Sequence, residues 1–279
     1  MGKRHASPED PMTPFDAPTA PPPAPTVASL PFDGPGYVPG LPLGQVLDGL
    51  PLSSAPADRP LLGLTLLLVE DSRLASEGMR LLCLRSGARL RRADSLHAAE
   101  RHLRTYRPGA AVVDLGLPDG SGLHLIRRLA QARPRIDAII ATSGDDSLEG
   151  AALAAGADSF VAKPILGLAA FQAAILSALP PGRGPRGPRP LPEGEVDPDP
   201  VALRDDLCHA AEILARGGGP GLDYVAQFLG GVAKGAGDEG LAAVSGALGA
   251  ARAAGEDGTS EAARLAAVLL DRLEPAPAL

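Results

Sequence analysis

Four apolar segments between residues 64 and 162 each lead into polar or charged side chains, and this pattern constrains the fold most. The first segment ends in Glu70–Asp71, the second in Asp114, the third in Thr142–Ser143 and the fourth in Lys163–Pro164. Helical patterns separate these segments, and alternating strands and helices are typical of a parallel sheet with right-handed crossovers. The carboxyl ends of parallel strands meet at one edge of the sheet, where ligands bind. The sequence therefore predicts acids, a hydroxyl and an ammonium at one edge.

The same alternation predicts five strands and five helices. The predicted strands are Leu64–Val69, Arg89–Ala93, Ala110–Val113, Ile136–Ala141 and Ser159–Ala162. The predicted helices are Ser72–Ser86, Ser95–Tyr106, Gly122–Ala132, Leu148–Ala155 and Leu168–Leu179. The second strand has the fewest apolar residues, which indicates an edge strand.

These residues, in this order, resemble the receiver domain of bacterial two-component response regulators over residues 63–179. The resemblance implies an α/β, flavodoxin-like (βα)5 fold with strand order 2-1-3-4-5. It also implies that Asp114 accepts a phosphoryl group, in a Mg²⁺-dependent reaction, from a sensor histidine kinase or a phosphotransfer protein. Slow autodephosphorylation would be the only other chemistry, so the protein is not expected to be an enzyme with a separate substrate.

The resemblance also implies roles for individual residues. The metal ligands would be Glu70, Asp71, Asp114 and the backbone carbonyl of Gly116. Thr142 would hydrogen-bond the phosphate, Lys163 would pair with it, Phe160 would be the aromatic switch residue, and Pro164 would form a cis peptide bond with Lys163.

Elementary chemistry agrees with these roles. Three carboxylates in one pocket repel each other and need a cation, and Mg²⁺ prefers oxygen ligands. Phosphoryl transfer depends mainly on positioning and on neutralising oxygen charge. Lys163 would add a compact positive charge, and it is one of only three lysines, at 3, 163 and 234, among 26 basic residues.

Each of these residues also has a plain structural interpretation when it is taken alone. Asp71 and Ser72 could begin a helix, Asp114 could belong to a turn, and Phe160 could be an ordinary core aromatic. Lys163 before a proline is a weak signal by itself. Their joint position at successive strand ends favours a functional site.

Composition divides the rest of the chain into three parts. Residues 1–60 are rich in proline and predict a disordered tail with polyproline II character. Residues 180–199 are rich in proline and glycine and predict a linker. Residues 200–274 contain four apolar stripes at helical spacing, of which the first is Leu203, Leu207, Ala210 and Leu214. They predict a small all-α bundle, which dimerisation or docking onto the receiver would stabilise.

The charge of the C-terminal segment limits the kind of partner that it is expected to bind. Residues 199–279 contain six basic and twelve acidic residues, a net charge of −6. Nucleic-acid binding depends on basic surfaces, so this balance disfavours it and favours a downstream protein target. A DNA-binding transcriptional regulator is one alternative. The other is a histidine-phosphotransfer-like bundle with His209 as acceptor, although the lysine and glycine that usually follow such a histidine are missing.

Cellular location is predicted from the cysteines and the hydropathy. Cys83 and Cys208 lack metal-ligand spacing, are expected to be buried thiols, and suit a reducing compartment. No apolar run is long enough to predict a membrane span, and the first residues do not resemble a signal peptide. The sequence therefore predicts a cytoplasmic protein with no membrane partner.

Overall fold

Five parallel strands form one sheet in the computed structural model, which describes residues 55–165, 167–181, 183, 185, 194 and 199–274. The strands are β1 (Thr65–Val69), β2 (Arg89–Ala93), β3 (Ala110–Asp114), β4 (Ala138–Ser143) and β5 (Ser159–Ala162). Their order in the sheet is β2-β1-β3-β4-β5. The predicted flavodoxin-like order is therefore confirmed, with β2 at an edge. Residues 1–54 of the predicted tail and most of the predicted linker lie outside the described residues.

Helices cover both faces of this sheet. They are α1 (Arg73–Ser86), α2 (Leu96–Thr105), α3 (Gly122–Gln131), α4 (Glu149–Ala155) and α5 (Leu168–Ala178). α1 and α5 share one apolar core with one face of the strands, and α2, α3 and α4 share a second core with the other face. Every residue of β1 and β3 is buried, as is typical of a parallel sheet with helices on both sides.

Strand β4 begins and ends two residues later than Ile136–Ala141, so the predicted bounds were wrong. The polar pair Thr142–Ser143 follows an apolar run, and this pattern predicted that the strand ends before it. On one side, β3 pairs with β4 as far as Thr142, which is in register with Asp114. On the other side, β5 pairs with β4 as far as Ser143, which is in register with Ala162. The acid and the hydroxyl are therefore neighbours across the sheet.

Four further helices follow: α6 (Pro200–Arg216), α7 (Gly219–Ala236), α8 (Glu239–Ala253) and α9 (Thr259–Leu273). Their apolar faces enclose a third core. The breaks between these helices are short, because α7 starts at Gly219 within a run of glycines and continues through Gly235. Proline at 220 lies in the first turn of α7, where its missing N–H costs no helical hydrogen bond. No described helix has the length and hydropathy needed to span a membrane.

The third core also includes a residue of the sheet-bearing part of the chain. Leu74, in the first turn of α1, is buried with Leu207, Leu229 and Val232 of α6 and α7. The C-terminal helices therefore pack directly on α1, beside the carboxyl edge of the sheet.

Candidate functional site

Three carboxylates lie together at the carboxyl edge of the sheet. Glu70 and Asp71 follow β1, and Asp114 is the last residue of β3. One oxygen from each lies within 4.8 Å of the others. Glu70 is only 2% exposed and Asp114 is 6% exposed. Such a cluster of oxygens fits a hard divalent cation such as Mg²⁺.

Lys163 provides the positive charge of this cluster. Its Nζ lies 2.6 Å from Oε2 of Glu70 and 2.9 Å from Oδ2 of Asp114. Burial opposes the lysine charge, but the two carboxylates outweigh burial and raise the pKa of Lys163. The Lys163–Pro164 peptide bond is cis.

The site remains short of positive charge. Burial raises the pKa of Glu70 to about 8, although Lys163 opposes this shift. Burial also raises the pKa of Asp71 to about 6, against a hydrogen bond from the Tyr224 hydroxyl. One ammonium thus compensates three acids incompletely, and a cation held among their oxygens would supply the missing charge.

Thr142 contributes a buried hydroxyl without a partner. Thr142 is 1% exposed, and its Oγ1 has no hydrogen-bond partner among the described residues. It lines the same cleft as Asp114 and Lys163. A buried hydroxyl without a partner is costly, so this arrangement suits a ligand oxygen that accepts its hydrogen bond.

The structure brings seven of the eight predicted site residues into one cleft: Glu70, Asp71, Asp114, Gly116, Thr142, Lys163 and Pro164. The backbone N–H of Gly116 donates to Oδ1 of Asp114 at 3.3 Å. The eighth, Phe160, does not line the cleft. It lies on β5, half-buried against the apolar core next to α4.

The opposite wall of the cleft comes from α7, which the sequence pattern did not predict to be part of the site. This wall consists of Gln227, Phe228, Gly231, Val232 and Gly235. The Tyr224 hydroxyl donates to Oδ2 of Asp71 at 2.5 Å, and Lys234 Nζ donates to the carbonyl of Gly144 at 2.6 Å. The charge of Asp71 and burial together raise the pKa of Tyr224, with burial the larger cause.

Asp206 of α6 anchors the same contact, and it too was missed. It is 2% exposed and accepts hydrogen bonds from Ser72 Oγ at 2.7 Å, from the Arg73 N–H at 2.7 Å and from the Leu74 N–H at 3.1 Å. Helix N-termini carry free N–H groups and a partial positive charge, which a carboxylate satisfies. Its position beside Leu207 of the first apolar stripe was the available signal.

The structure tests what the sequence predicted for two side chains of α6, Cys208 and His209. Cys208 is exposed, so the expectation of a buried thiol was wrong for it, whereas Cys83 is buried. The wrong expectation came from the helical context, since Cys208 lies on the outer side of α6. His209 is exposed and packs edge-to-face on the rings of Tyr224 and Phe228. His209 is not one of the described residues that line the acid cleft.

Comparison with known proteins identifies the sheet-bearing part of the chain. Residues 66–175 match the family model of the response regulator receiver domain. This part of the chain is therefore a receiver domain of two-component systems. The match ends before α6, so it does not include the C-terminal helices.

Individual relatives match the same part. The chain is 33% identical over 125 residues to the KDP operon transcriptional regulatory protein KdpE of Escherichia coli K12, covering 45% of this chain and 55% of the relative. It is 35% identical over 101 residues to the virulence transcriptional regulatory protein PhoP of Salmonella typhimurium 14028s, covering 35% of this chain and 44% of the relative. The chain thus spans about half the length of these relatives.

One solved structure to which the chain is similar is the receiver domain of sensor histidine kinase PA1611 from Pseudomonas aeruginosa PAO1, with magnesium in its active site cleft. It is 24% identical, with a TM-score of 0.37, and the alignment covers 41% of this chain and 96% of that chain. The two curated relatives are named as transcriptional regulators. These names do not support the expectation that this chain does not bind nucleic acid. That expectation remains a prediction from the negative charge of residues 199–279.

Proposed function

We propose that this chain is a cytoplasmic response regulator of a phosphorelay that accepts a phosphoryl group on Asp114. The donor would be a sensor histidine kinase or a phosphotransfer protein, and the output would be protein–protein interaction of the C-terminal helices. No separate substrate is turned over. One observation carries the proposal: the carboxylate of Asp114 shares a cleft with the Lys163 ammonium, the unpartnered Thr142 hydroxyl and two further acids.

Each residue of the cleft has its own role in this reaction. One oxygen of Asp114 forms a bond to phosphorus as the donor's leaving group departs, which gives a covalent acyl phosphate. Lys163, already 2.9 Å from Oδ2 of Asp114, pairs with the oxygens of the transferred group. The Thr142 hydroxyl, which has no other partner among the described residues, donates to one of them.

The metal would be held by the side chains of Glu70, Asp71 and Asp114 and by the carbonyl of Gly116. When bound, Mg²⁺ neutralises the charge that collects on phosphoryl oxygens. The charge of the added phosphoryl group is a local electrostatic change that shifts the protein between two conformational states. In this proposal, Thr142 moves towards the phosphate, and Phe160 on β5 follows it.

Intact-mass measurement after incubation with acetyl phosphate and Mg²⁺ tests this proposal. We expect the full chain to gain one phosphoryl group, and Asp114→Ala or added EDTA to abolish the gain. Asp146→Ala is the matched control, because Asp146 is an exposed acid just beyond β4 and its loss should leave the gain intact. A gain that survives Asp114→Ala would overturn the proposal and direct attention to His209.

A further inference from the structure

Helix α7 crosses the mouth of the acid cleft at two glycines of the receiver domain. A Cβ placed on Gly116 would lie only 2.3 Å from Nε2 of Gln227, and a Cβ on Gly144 would lie 3.8 Å from the Cα of Gly231. A side chain at position 116 would have to displace the Gln227 amide, whereas the distance at Gly144 is an ordinary van der Waals contact. The close approach of α7 places the amide of Gln227 where a side chain at position 116 would otherwise lie.

The amide of Gln227 is free to bind a ligand. The hydroxyl of Tyr224, which α7 also directs towards the acids, is already engaged by Asp71. Gln227, by contrast, is exposed, and its side-chain amide makes no hydrogen bond within the described part of the chain. A glutamine amide offers both an acceptor oxygen and two N–H donors.

The position of Asp114 determines where water must attack its acyl phosphate. Asp114 is 6% exposed at the base of the cleft, so the phosphoryl group points towards the mouth. In-line attack comes from the side opposite the leaving oxygen, which is the side that α7 covers. The cleft beneath α7 is partly open to solvent, so water can reach the phosphoryl group.

We propose that Gln227 is a catalytic residue for hydrolysis of the acyl phosphate on Asp114, which α7 supplies across the cleft. This inference depends on the proposed phosphorylation of Asp114. The amide oxygen of Gln227 accepts a hydrogen bond from the attacking water and orients it, the role that glutamine performs in GTPases. The water oxygen bonds to phosphorus, the bond from phosphorus to the Asp114 oxygen breaks, and its electron pair returns to the carboxylate. The water proton leaves with inorganic phosphate or passes to solvent.

Three contacts hold α7 and its neighbour in place for this role. Asp206 fixes α6 to the first turn of α1 through three hydrogen bonds. Tyr224 bonds Asp71, and Lys234 bonds the Gly144 carbonyl, one on each side of Gln227 along α7. These three are positioning residues, because they hold the helix that carries the amide.

The test measures how fast the phosphoryl group is lost. The full chain is loaded with acetyl phosphate and Mg²⁺, the donor is removed by desalting, and intact mass follows the decay. For Gln227→Ala we expect unchanged loading and a half-life longer by roughly tenfold to a hundredfold, since a misplaced nucleophile costs about that much. Gln131→Ala, at an exposed glutamine near the end of α3, should decay like the wild type.

Two further measurements separate catalysis from a structural effect. Hydrogen exchange of the Arg73 and Leu74 amides reports whether α6 is docked, and we expect no change in Gln227→Ala. The φ angle of Gly116 is not positive, so a side chain is tolerated there once Gln227 is truncated. Gly116→Asn combined with Gln227→Ala should return an amide to the mouth and shorten the half-life again.

The outcomes distinguish this inference from the function on which it depends. Wild-type decay in a fully loaded Gln227→Ala protein would overturn the role of Gln227 and leave phosphorylation of Asp114 intact. Slow decay accompanied by loss of amide protection at Arg73 would replace catalysis with a structural role. Failure of the wild type to gain any phosphoryl group would overturn the proposed function, and this inference with it.

Discussion

Asp206→Ala is expected to lower the free energy of unfolding by about 3 kcal/mol, because it leaves buried donors without an acceptor. The carboxylate accepts from one hydroxyl and two backbone N–H groups at the start of α1. No water replaces it readily, since Asp206 is 2% exposed. The helix dipole of α1 also loses a favourable negative charge. Chemical denaturation followed by circular dichroism measures the change.

Asp205 provides a matched control on the same helix. It forms an ion pair with Arg73 at 3.4 Å, and its side chain is 47% exposed. Exposed ion pairs contribute little, so Asp205→Ala should cost less than about 1 kcal/mol. Hydrogen exchange at the amides of Arg73 and Leu74 should accelerate in Asp206→Ala and not in Asp205→Ala. Equal effects of the two substitutions would refute the anchoring role of Asp206.

Lys163→Met is expected to lower the free energy of unfolding by about 3 kcal/mol in metal-free buffer, because breaking a buried ion pair leaves uncompensated charge. Lys163 pairs with Glu70 and Asp114, both buried. Saturating Mg²⁺ should restore part of the loss, since a bound cation neutralises the same carboxylates. Thermal unfolding with and without Mg²⁺ measures both effects.

Lys234→Met is the control for the charge of Lys163. Lys234 makes one exposed hydrogen bond to the Gly144 carbonyl, so its loss should cost about 1 kcal/mol or less and should not respond specifically to Mg²⁺. If Lys163→Met were as mild as Lys234→Met, or if Mg²⁺ had no effect on it, the account of charge compensation in the cleft would fail.

The residues at the carboxyl edge of the sheet could be predicted because each of them lies at or just after the end of a strand. Glu70 and Asp114 stand out at the ends of the buried apolar strands β1 and β3, and Lys163 follows the short strand β5. Parallel pairing then brings those ends together without further information. The register was less predictable: the extension of β4 through Thr142 depends on the length of its neighbours, which the local sequence does not contain.

The contribution of α6 and α7 to the cleft could not be predicted in the same way. An apolar stripe indicates that a helix buries one face, but it does not specify the surface on which that face packs. Asp206 was counted only in the net charge of residues 199–279, because its partners are the Ser72 hydroxyl and backbone N–H groups of α1 that only the folded structure brings near. Gly116 and Gly144 likewise gave no signal of the helix that approaches them.

The central claim is that Asp114 carries the phosphoryl group, and reductive trapping tests it most directly. Borohydride converts an aspartyl phosphate to homoserine, and peptide mass spectrometry of the trapped protein then locates the modified residue. After treatment with acetyl phosphate and Mg²⁺, we predict homoserine at position 114 and unmodified aspartate at 71 and 146. Trapping at another position, or none in a protein that has gained a phosphoryl group, would contradict the account.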